Sequence, residues 1–553
     1  MDNLRFLLFV ALGSLSILIW QAWEQDYGPK PELTAEQHIE DSPVVGLQAD
    51  LPESPALSKG SGSIPSSEAD QQTRIDERKK IRVITDVLRV EIDTLGGNVV
   101  LADLLQYPQN KDNPEKSIRL FDDNPDRLYF SQSGLITGEK NAPDHSASWN
   151  TVEDEYVLRD DQDSFDVPLT WVSKDGVVVN KVYTFSRGSY LIQQELNIKN
   201  DSTAVFLARQ YSQLQRKDFK AEEKDSGFIR TYTGAVTFND EDKYQKIDFD
   251  DMGTADLSLD VEGGWSAYIQ HYFLSAWVPP PNETNHFYTK SLPDQRYVVG
   301  SYSSQFSVEP GQEKTVQAKL VVGPKVQRML EKIAPELDLT VDYSHLTVIA
   351  KPIFWLLEKL HSYLGNWGWA IIGVTLVIKA LFFKLSETSY RSMARMRKLT
   401  PKLKALRERF AEDKKKMNEE IMALYKREKV NPLGGCFPIL VQIPVFISLY
   451  WVIIETVELR HAPFALWLND LSARDPFFVL PILMGVTMFV QQRLNPTPVD
   501  PVQEKVMKWF PFMFTIFFLF FPSGLVLYWV VNNTLSIIQQ AYITKQIERS
   551  DST

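Results

Sequence analysis

An apolar run that carries a full charge constrains this chain more than any other stretch. Residues 367–384, WGWAIIGVTLVIKALFFK, are long enough to cross a bilayer, since about 20 helical residues at about 1.5 Å each span the hydrocarbon. Lys379 lies inside that run. A charge at such depth costs on the order of 2.5–3.5 kcal/mol on insertion scales, which makes it a candidate for function. This stretch alone leaves two readings open. Lys379 reaches from its place near the helix end to the headgroups, or it faces an interior that uses a cation.

The run is one of a series. Apolar segments follow at Phe437–Ile454, Phe477–Val490, Trp509–Phe521 and Leu525–Ile538. The last two are parted only by Pro522-Ser523-Gly524. Read as one helix they would overshoot the bilayer, so a tight hairpin is expected there. Phe6–Trp20, preceded by Arg5, reads as an uncleaved signal anchor. The expected fold class is an N-terminal anchor plus five core transmembrane helices. A large outer all-β domain and a helical hairpin join that bundle. The anchor takes 1–24 and the core spans 366–385, 436–457, 476–492, 506–521 and 524–545. A 458–475 outer loop, a 493–505 cytoplasmic loop and a short 546–553 tail complete this part.

The 553 residues exceed one domain, and the net charge of −12 is unevenly spread. The first two-thirds is acidic and polar. Residues 25–80, rich in Pro, Ser, Glu, Asp and Gln, cannot bury enough surface to offset chain entropy and read as a disordered tether. From 81 to 323 apolar residues alternate with period two, as in Leu88–Ile92, Val177–Phe185, Tyr190–Ile198 and Thr315–Val322. Gly96-Gly97, Asp175-Gly176 and Asn200-Asp201 punctuate them, the pattern of an antiparallel sandwich. Residues 324–365 hold a connecting helix, with Pro335 as a break, and an amphipathic helix over Ser344–Leu364. The latter is too polar to span and suits the outer membrane interface.

Between the first two core spans lies a basic island, 386–435. From Lys384 to Lys429, fifteen lysines and arginines stand against seven acidic residues. Met396, Leu399, Leu403, Leu406, Phe410, Met417, Ile421 and Leu424 recur at three and four, the seam of an antiparallel helical hairpin turning near Glu412–Lys414. The positive-inside rule places it in the cytoplasm, so the β domain lies outside.

The spans share polar residues that a lipid-facing helix would avoid. Thr375 sits one turn before Lys379. Gln442, Gln491 and Gln492 occupy the next spans, and Tyr528, Trp529, Asn532 and Asn533 the last. Such groups face a bundle interior or a wet cavity. Interhelical hydrogen bonding accounts for the amides. It does not account for a cation without a carboxylate partner in the spans, since Glu455 lies near the far end of its helix and at the wrong depth. The single cysteine, Cys436, excludes an intrachain disulfide, and the seven histidines form no metal-ligand spacing. His145, His271 and His286 read as surface or satisfied-core residues. No nucleotide loop or nucleophile elbow is present, so no cofactor, metal or enzymatic chemistry is expected.

Three stretches carry a resemblance. NPLGGCFPILVQIPVF over 431–446, ELRHAPFALWLNDL over 458–471 and FPSGLVLYW over 521–529 resemble the signature of the YidC family of membrane protein insertases. With the basic hairpin, the likeness covers about 344–546. The anchor and large outer domain resemble the Gram-negative form. The resemblance implies a non-enzymatic insertase in the bacterial inner membrane, with a periplasmic β-supersandwich similar to sugar mutarotases. It implies a hydrophilic groove open to cytoplasm and lipid, lined by Lys379, Thr375, Gln442, Gln492, Tyr528, Trp529 and Asn532. The family's groove cation is usually arginine, and lysine stands in its place. Nascent inner-membrane proteins, the Sec translocon, the ribosome and the lipid bilayer are the implied partners; sequence-specific nucleic acid is not. The tail is short, so the hairpin carries the docking candidates Arg391, Arg395, Arg397, Lys398, Lys402, Lys404, Lys414, Lys415 and Lys416. Two other classes compete. A small-solute transporter would need paired charges or an inverted repeat. A membrane-anchored periplasmic carbohydrate-active protein would need a His/carboxylate set within 81–322.

Overall fold

The computed structural model describes residues 79–138, 142–218, 231–410, 413–428, 437–495 and 501–551. The expected anchor and nearly all of the expected tether lie outside the described residues. So do the hairpin turn at 411–412 and the NPLGGC part of the first motif. Two compact units divide the chain, one ending at Val341 and one beginning at Asp342.

The first unit is built of strands, and the period-two patterning shows why. In Val177–Ser186 the buried residues are Val177, Val179, Lys181, Tyr183 and Phe185, every second position. This strand pairs antiparallel with Leu191–Asn200, Ile192 opposite Phe185. That strand pairs in turn with Glu313–Pro324. Described strands form an eleven-stranded and a nine-stranded sheet. One pairing, Arg82–Ile84 with Glu155–Val157, is parallel. The sheets face each other: Trp277 of the smaller donates its indole N–H to Gln213 O of the larger at 3.2 Å. The Tyr129 and Ser275 hydroxyls meet across the same gap.

Several polar groups in this core find partners across it. Lys181 is fully buried, yet its ammonium donates to Ser133 O at 2.7 Å, Gly96 O at 3.0 Å and Gly97 O at 3.4 Å. It also stands 4.9 Å from the centre of the Trp149 ring. Burial pushes its pKa down to about 7, with Asp144 pulling the other way. Gly96 has φ +81°, and a Cβ there would fall 2.0 Å from His145 O, so glycine is required for the turn that offers these carbonyls. His145 is buried with Nδ1 2.7 Å from the Tyr211 hydroxyl. His286 Nδ1 lies 2.9 Å from Asp260 Oδ1.

The strand unit runs further than the 323 boundary drawn from the sequence. Helix α1, Gln327–Ile333, presents Leu330, and Ala334 and Leu337 follow. All three bury among Trp265, Ile269 and Leu274. Trp265 Nε1 donates to Pro335 O at 2.9 Å, so the proline that breaks the helix also anchors the segment.

The second unit is helical. Its elements are α2 Thr347–Leu364, α3 Trp367–Leu381, α4 Phe383–Arg409, α5 Lys414–Arg427, α6 Phe437–Glu455, α7 Val479–Leu494, α8 Pro501–Phe518 and α9 Ser523–Asp551. Three differ from the sequence reading. The 367–384 run is not one helix. It breaks at Phe382, where α3 and α4 meet at 67°. No glycine or proline marks the break; Gln539 Nε2 donates to Phe383 O at 3.2 Å and ties α9 to it. Helix α8 begins before 506. Helix α9 does not stop at 545 but continues to Asp551, because Ile543 and Ile547 bury against Tyr390 of α4. Among the described residues no single helix is long and apolar enough to cross a membrane, while α3 and α4 qualify together across their bend. Val441–Glu455 and Val479–Leu494 are shorter apolar helices.

Helices α4 and α5 pack along the expected seam. Leu399, Leu403 and Leu424 are buried, flanked by Met396, Leu406, Ile421 and Tyr425. Asp413 caps α5 by accepting from Lys416 N at 3.0 Å.

Candidate functional site

Helix α9 organises the helical unit because polar residues recur along it at helical spacing. Asn532, Asn533, Ser536, Gln539 and Gln540 are all buried, and each hooks a different neighbour. Asn532 Oδ1 accepts from Gln442 Nε2 of α6 at 2.7 Å. Asn533 Nδ2 reaches Thr487 Oγ1 of α7 at 3.4 Å. Gln540 Nε2 donates to Asn495 Oδ1 at 3.0 Å and Leu494 O at 3.3 Å, at the end of α7.

Lys379 belongs to this set. Its ammonium donates to Ser536 Oγ of α9 at 2.7 Å, and the side chain is half-buried. Ser536 passes its own proton to Asn532 O at 2.7 Å. Among the described residues no carboxylate stands within ion-pair distance of Lys379. One of three N–H groups is therefore used.

Other candidates fall at varying removes from this centre. Thr375 is buried and bonds back to Ile371 O at 2.7 Å, so its hydroxyl is held on its own helix. Tyr528 is buried beside Gln442 and stacks on Phe446 at 6.1 Å between ring centres. Trp529 packs on Phe446 at 4.9 Å and Phe518 at 5.8 Å, and its buried indole N–H has no partner among the described residues. Gln492 is not brought to Lys379. It donates to Met507 O and joins α7 to α8.

One end of the bundle is stitched shut. The loop after α6 offers Phe464 O and Pro463 O to Asn366 Nδ2 at 3.0 and 3.2 Å, at the start of α3. Ser523 N donates to Ala473 O at 2.7 Å and Gly524 N to Leu471 O at 2.9 Å, at the start of α9. Phe464 lies directly over Gly368, where a Cβ would fall 2.0 Å from its ring.

On the hairpin, Arg395, Arg397, Lys398, Lys402, Lys404, Lys415 and Lys416 are exposed. Lys402 pairs with Glu428 at 2.8 Å. Arg391 instead sits at the hairpin root, forked onto Glu387 at 2.7 and 3.0 Å and reaching Gln546 of α9 at 3.3 Å. The Lys414 side chain lies outside the described residues. Among the described residues no group of three or more His, Cys, Asp or Glu could hold a metal ion.

Sequence reading missed Ser536, Tyr390, Gln539 and Gln540. The signal was available: 532, 533, 536, 539 and 540 continue one polar stripe at three- and four-residue steps. Gln539 and Gln540 lie beyond the apolar run that ends at Ile538, and Ser536 within it reads as an ordinary helical serine.

A helical unit with a polar, singly cationic interior, carried on a chain with a large β domain, matches two family models. Residues 80–356 match the YidC periplasmic domain, and residues 359–550 match the 60Kd inner membrane protein. These define an inner-membrane protein with a periplasmic domain. The membrane protein insertase YidC of Methylococcus capsulatus is 54% identical over 550 residues, covering 100% of this chain and 99% of that one. Its counterpart in Thioalkalivibrio sulfidiphilus is 49% identical over 567 residues, covering 100% and 99%. A crystal structure of an active YidC insertase with its first transmembrane domain resolved aligns over 83% of this chain and 92% of that one, at 16% identity and a TM-score of 0.37. The chain belongs to the YidC family of membrane protein insertases. Its task is the insertion of membrane proteins, a physical rather than a covalent operation, and it is not an enzyme.

Proposed function

We propose that the helical unit works as a hydrophilic groove, open to cytoplasm and lipid, in which Lys379 receives acidic residues of an incoming chain. The direction of the Lys379 ammonium carries the reading. It points to the buried face of α9 and keeps two N–H groups for water or a guest carboxylate. A lone cation surrounded by amides and hydroxyls lowers the cost of bringing a hydrophilic segment into the membrane. The client's apolar helix then leaves over the greasy faces of α6 and α8, gaining about 0.8 kcal/mol per buried CH₂. On the exposed side of α8, Trp509, Phe512, Met513 and Ile516 offer such a face. The stitching between the loop after α6 and the starts of α3 and α9 supports closure toward the periplasm.

The wider arrangement belongs to the same proposal. Five core spans follow an N-terminal anchor, so the protein is multi-pass. Helix α2 lies in the outer interface, a place suited to its exposed Val348, Trp355 and Tyr363 beside Lys351 and Lys359. The α4–α5 hairpin stands in the cytoplasm, and its exposed basic residues dock the ribosome. The Sec translocon is the second partner.

The test is a client with aspartates in its translocated segment, inserted into vesicles carrying the full chain. Lys379→Glu lowers insertion about tenfold, since each 1.4 kcal/mol is a factor of ten, while Lys379→Arg retains it. Equal insertion by parent, Arg and Glu forms removes the electrostatic role.

A further inference from the structure

Ser536 is a junction. A serine hydroxyl has one proton and two lone pairs. The proton goes to Asn532 O at 2.7 Å, and one lone pair accepts the Lys379 ammonium at 2.7 Å. The Tyr390 side chain lies near Ser536. Tyr390 lies on α4, beyond the Phe382 bend, and is buried against Ile543 and Ile547 of α9. Helices α3 and α9 thus meet at a single oxygen, and α4 borders it through Tyr390.

A lysine on a four-carbon stem does not hold its position unaided. Near a helix end it extends toward water. Lys379 stands three residues from the α3–α4 break, so the aqueous end is within its reach. Ser536 supplies the counter-pull, and Tyr390 of α4, packed against α9, borders the serine on the hairpin side. We propose that Ser536 and Tyr390 are positioning residues for Lys379. Through Tyr390 the root of the basic hairpin forms one wall of the cation's site. The ammonium keeps its Ser536 bond while its other two N–H groups bind a client carboxylate. The hold and the recognition therefore do not compete. The inference rests on the reading of Lys379 as the groove cation.

The experiment compares two single-span clients that differ only in two aspartates of the translocated segment, changed to asparagine in the second. Each is inserted into vesicles carrying full-length protein, and the acidic-to-neutral ratio is read. A purely structural defect lowers both clients together and leaves the ratio alone. Ser536→Ala lowers the ratio about fivefold and Tyr390→Phe about twofold, in the range of a lost hydrogen bond to a charge and a weaker indirect one. Ser536→Thr, which keeps the hydroxyl, restores the parent ratio. If Ser536→Ala does not accumulate, Tyr390→Phe decides, because it removes one oxygen and keeps the ring against Ile543 and Ile547. Lys379→Gln is the control. If it collapses the ratio while Ser536→Ala and Tyr390→Phe leave it at the parent value, the positioning role is overturned and the groove reading stands. If Lys379→Gln itself leaves the ratio unmoved, the groove reading fails first.

Discussion

Lys181 and Lys379 are both drawn in from solvent, and the two units treat them in opposite ways. Lys181, in the strand unit, is enclosed: three backbone carbonyls take its protons and an indole ring covers it. Lys379, in the helical unit, holds one serine and keeps two N–H groups in hand. A cation whose donors are all spent is part of the architecture. A cation with donors to spare is prepared for something that arrives later. The contrast separates a lysine that fastens two sheets from one that, under the proposal above, meets a client, although both interrupt apolar patterns in the sequence.

The comparison breaks most sharply at Lys181. Replacing it by Met takes the ammonium from the buried carbonyls of Ser133 and Gly96, while Gly97 O keeps the Tyr183 hydroxyl, and destabilises the strand unit by about 3 kcal/mol. Urea titration of the full chain, read by protease resistance of residues 79–341, measures the loss. A pH series sharpens the point. The folded group releases its proton near pH 7, whereas the unfolded one keeps it to its ordinary value of 10.5. Between these values the unfolded state binds more protons, so stability of the unit rises with pH. Lys181→Met removes that rise, and an identical slope in parent and variant would show the ammonium not to be disfavoured by folding.

The next effect lies at the stitched end of the helical unit. Gly368→Ala drives a methyl group into the Phe464 ring and costs about 2 kcal/mol by overpacking. The loop after α6 loosens, and vesicles carrying the variant leak ions faster than parent vesicles. Unchanged leakage with a displaced loop would show that the seal lies elsewhere.

The smallest effect tests whether the helical interior is wet. Gln442→Leu strands Asn532 and costs about 1 kcal/mol. It also makes the groove more like the strand core, so alkylation of a Thr375→Cys probe falls severalfold. Equally low labelling in both backgrounds would show the groove dry from the start.

Much of this was legible in the residues. Period-two alternation located strands such as Val177–Ser186, and three- and four-residue spacing located the Leu399, Leu403 and Leu424 seam. The polar residues Gln442 and Asn532 stood out against apolar surroundings, and they meet. The inward face of Lys181 was legible too, because it shares parity with Val179, Tyr183 and Phe185; its carbonyl cage was not, since Gly96 and Ser133 are remote in the chain. The Phe382 break had no local signal. Glycine and proline are absent there, and a glutamine from α9 reaches it through space. Ser536 escaped notice for a related reason. A serine inside a helix is unremarkable until the Lys379 ammonium is brought to its oxygen from α3.

Helix α9 is 29 residues long, or about 43 Å at 1.5 Å per residue, against about 30 Å of hydrocarbon. In the proposed arrangement roughly a third of it projects past the oily layer, at the end where it braces α4 through Ile543, Ile547 and Gln546. In mechanical terms α9 is a stiff rod clamped at both ends. If the hairpin takes the partner proposed for it, a load there is transmitted along α9 as a rigid displacement and tugs on the same shaft that bears Asn532 and Ser536.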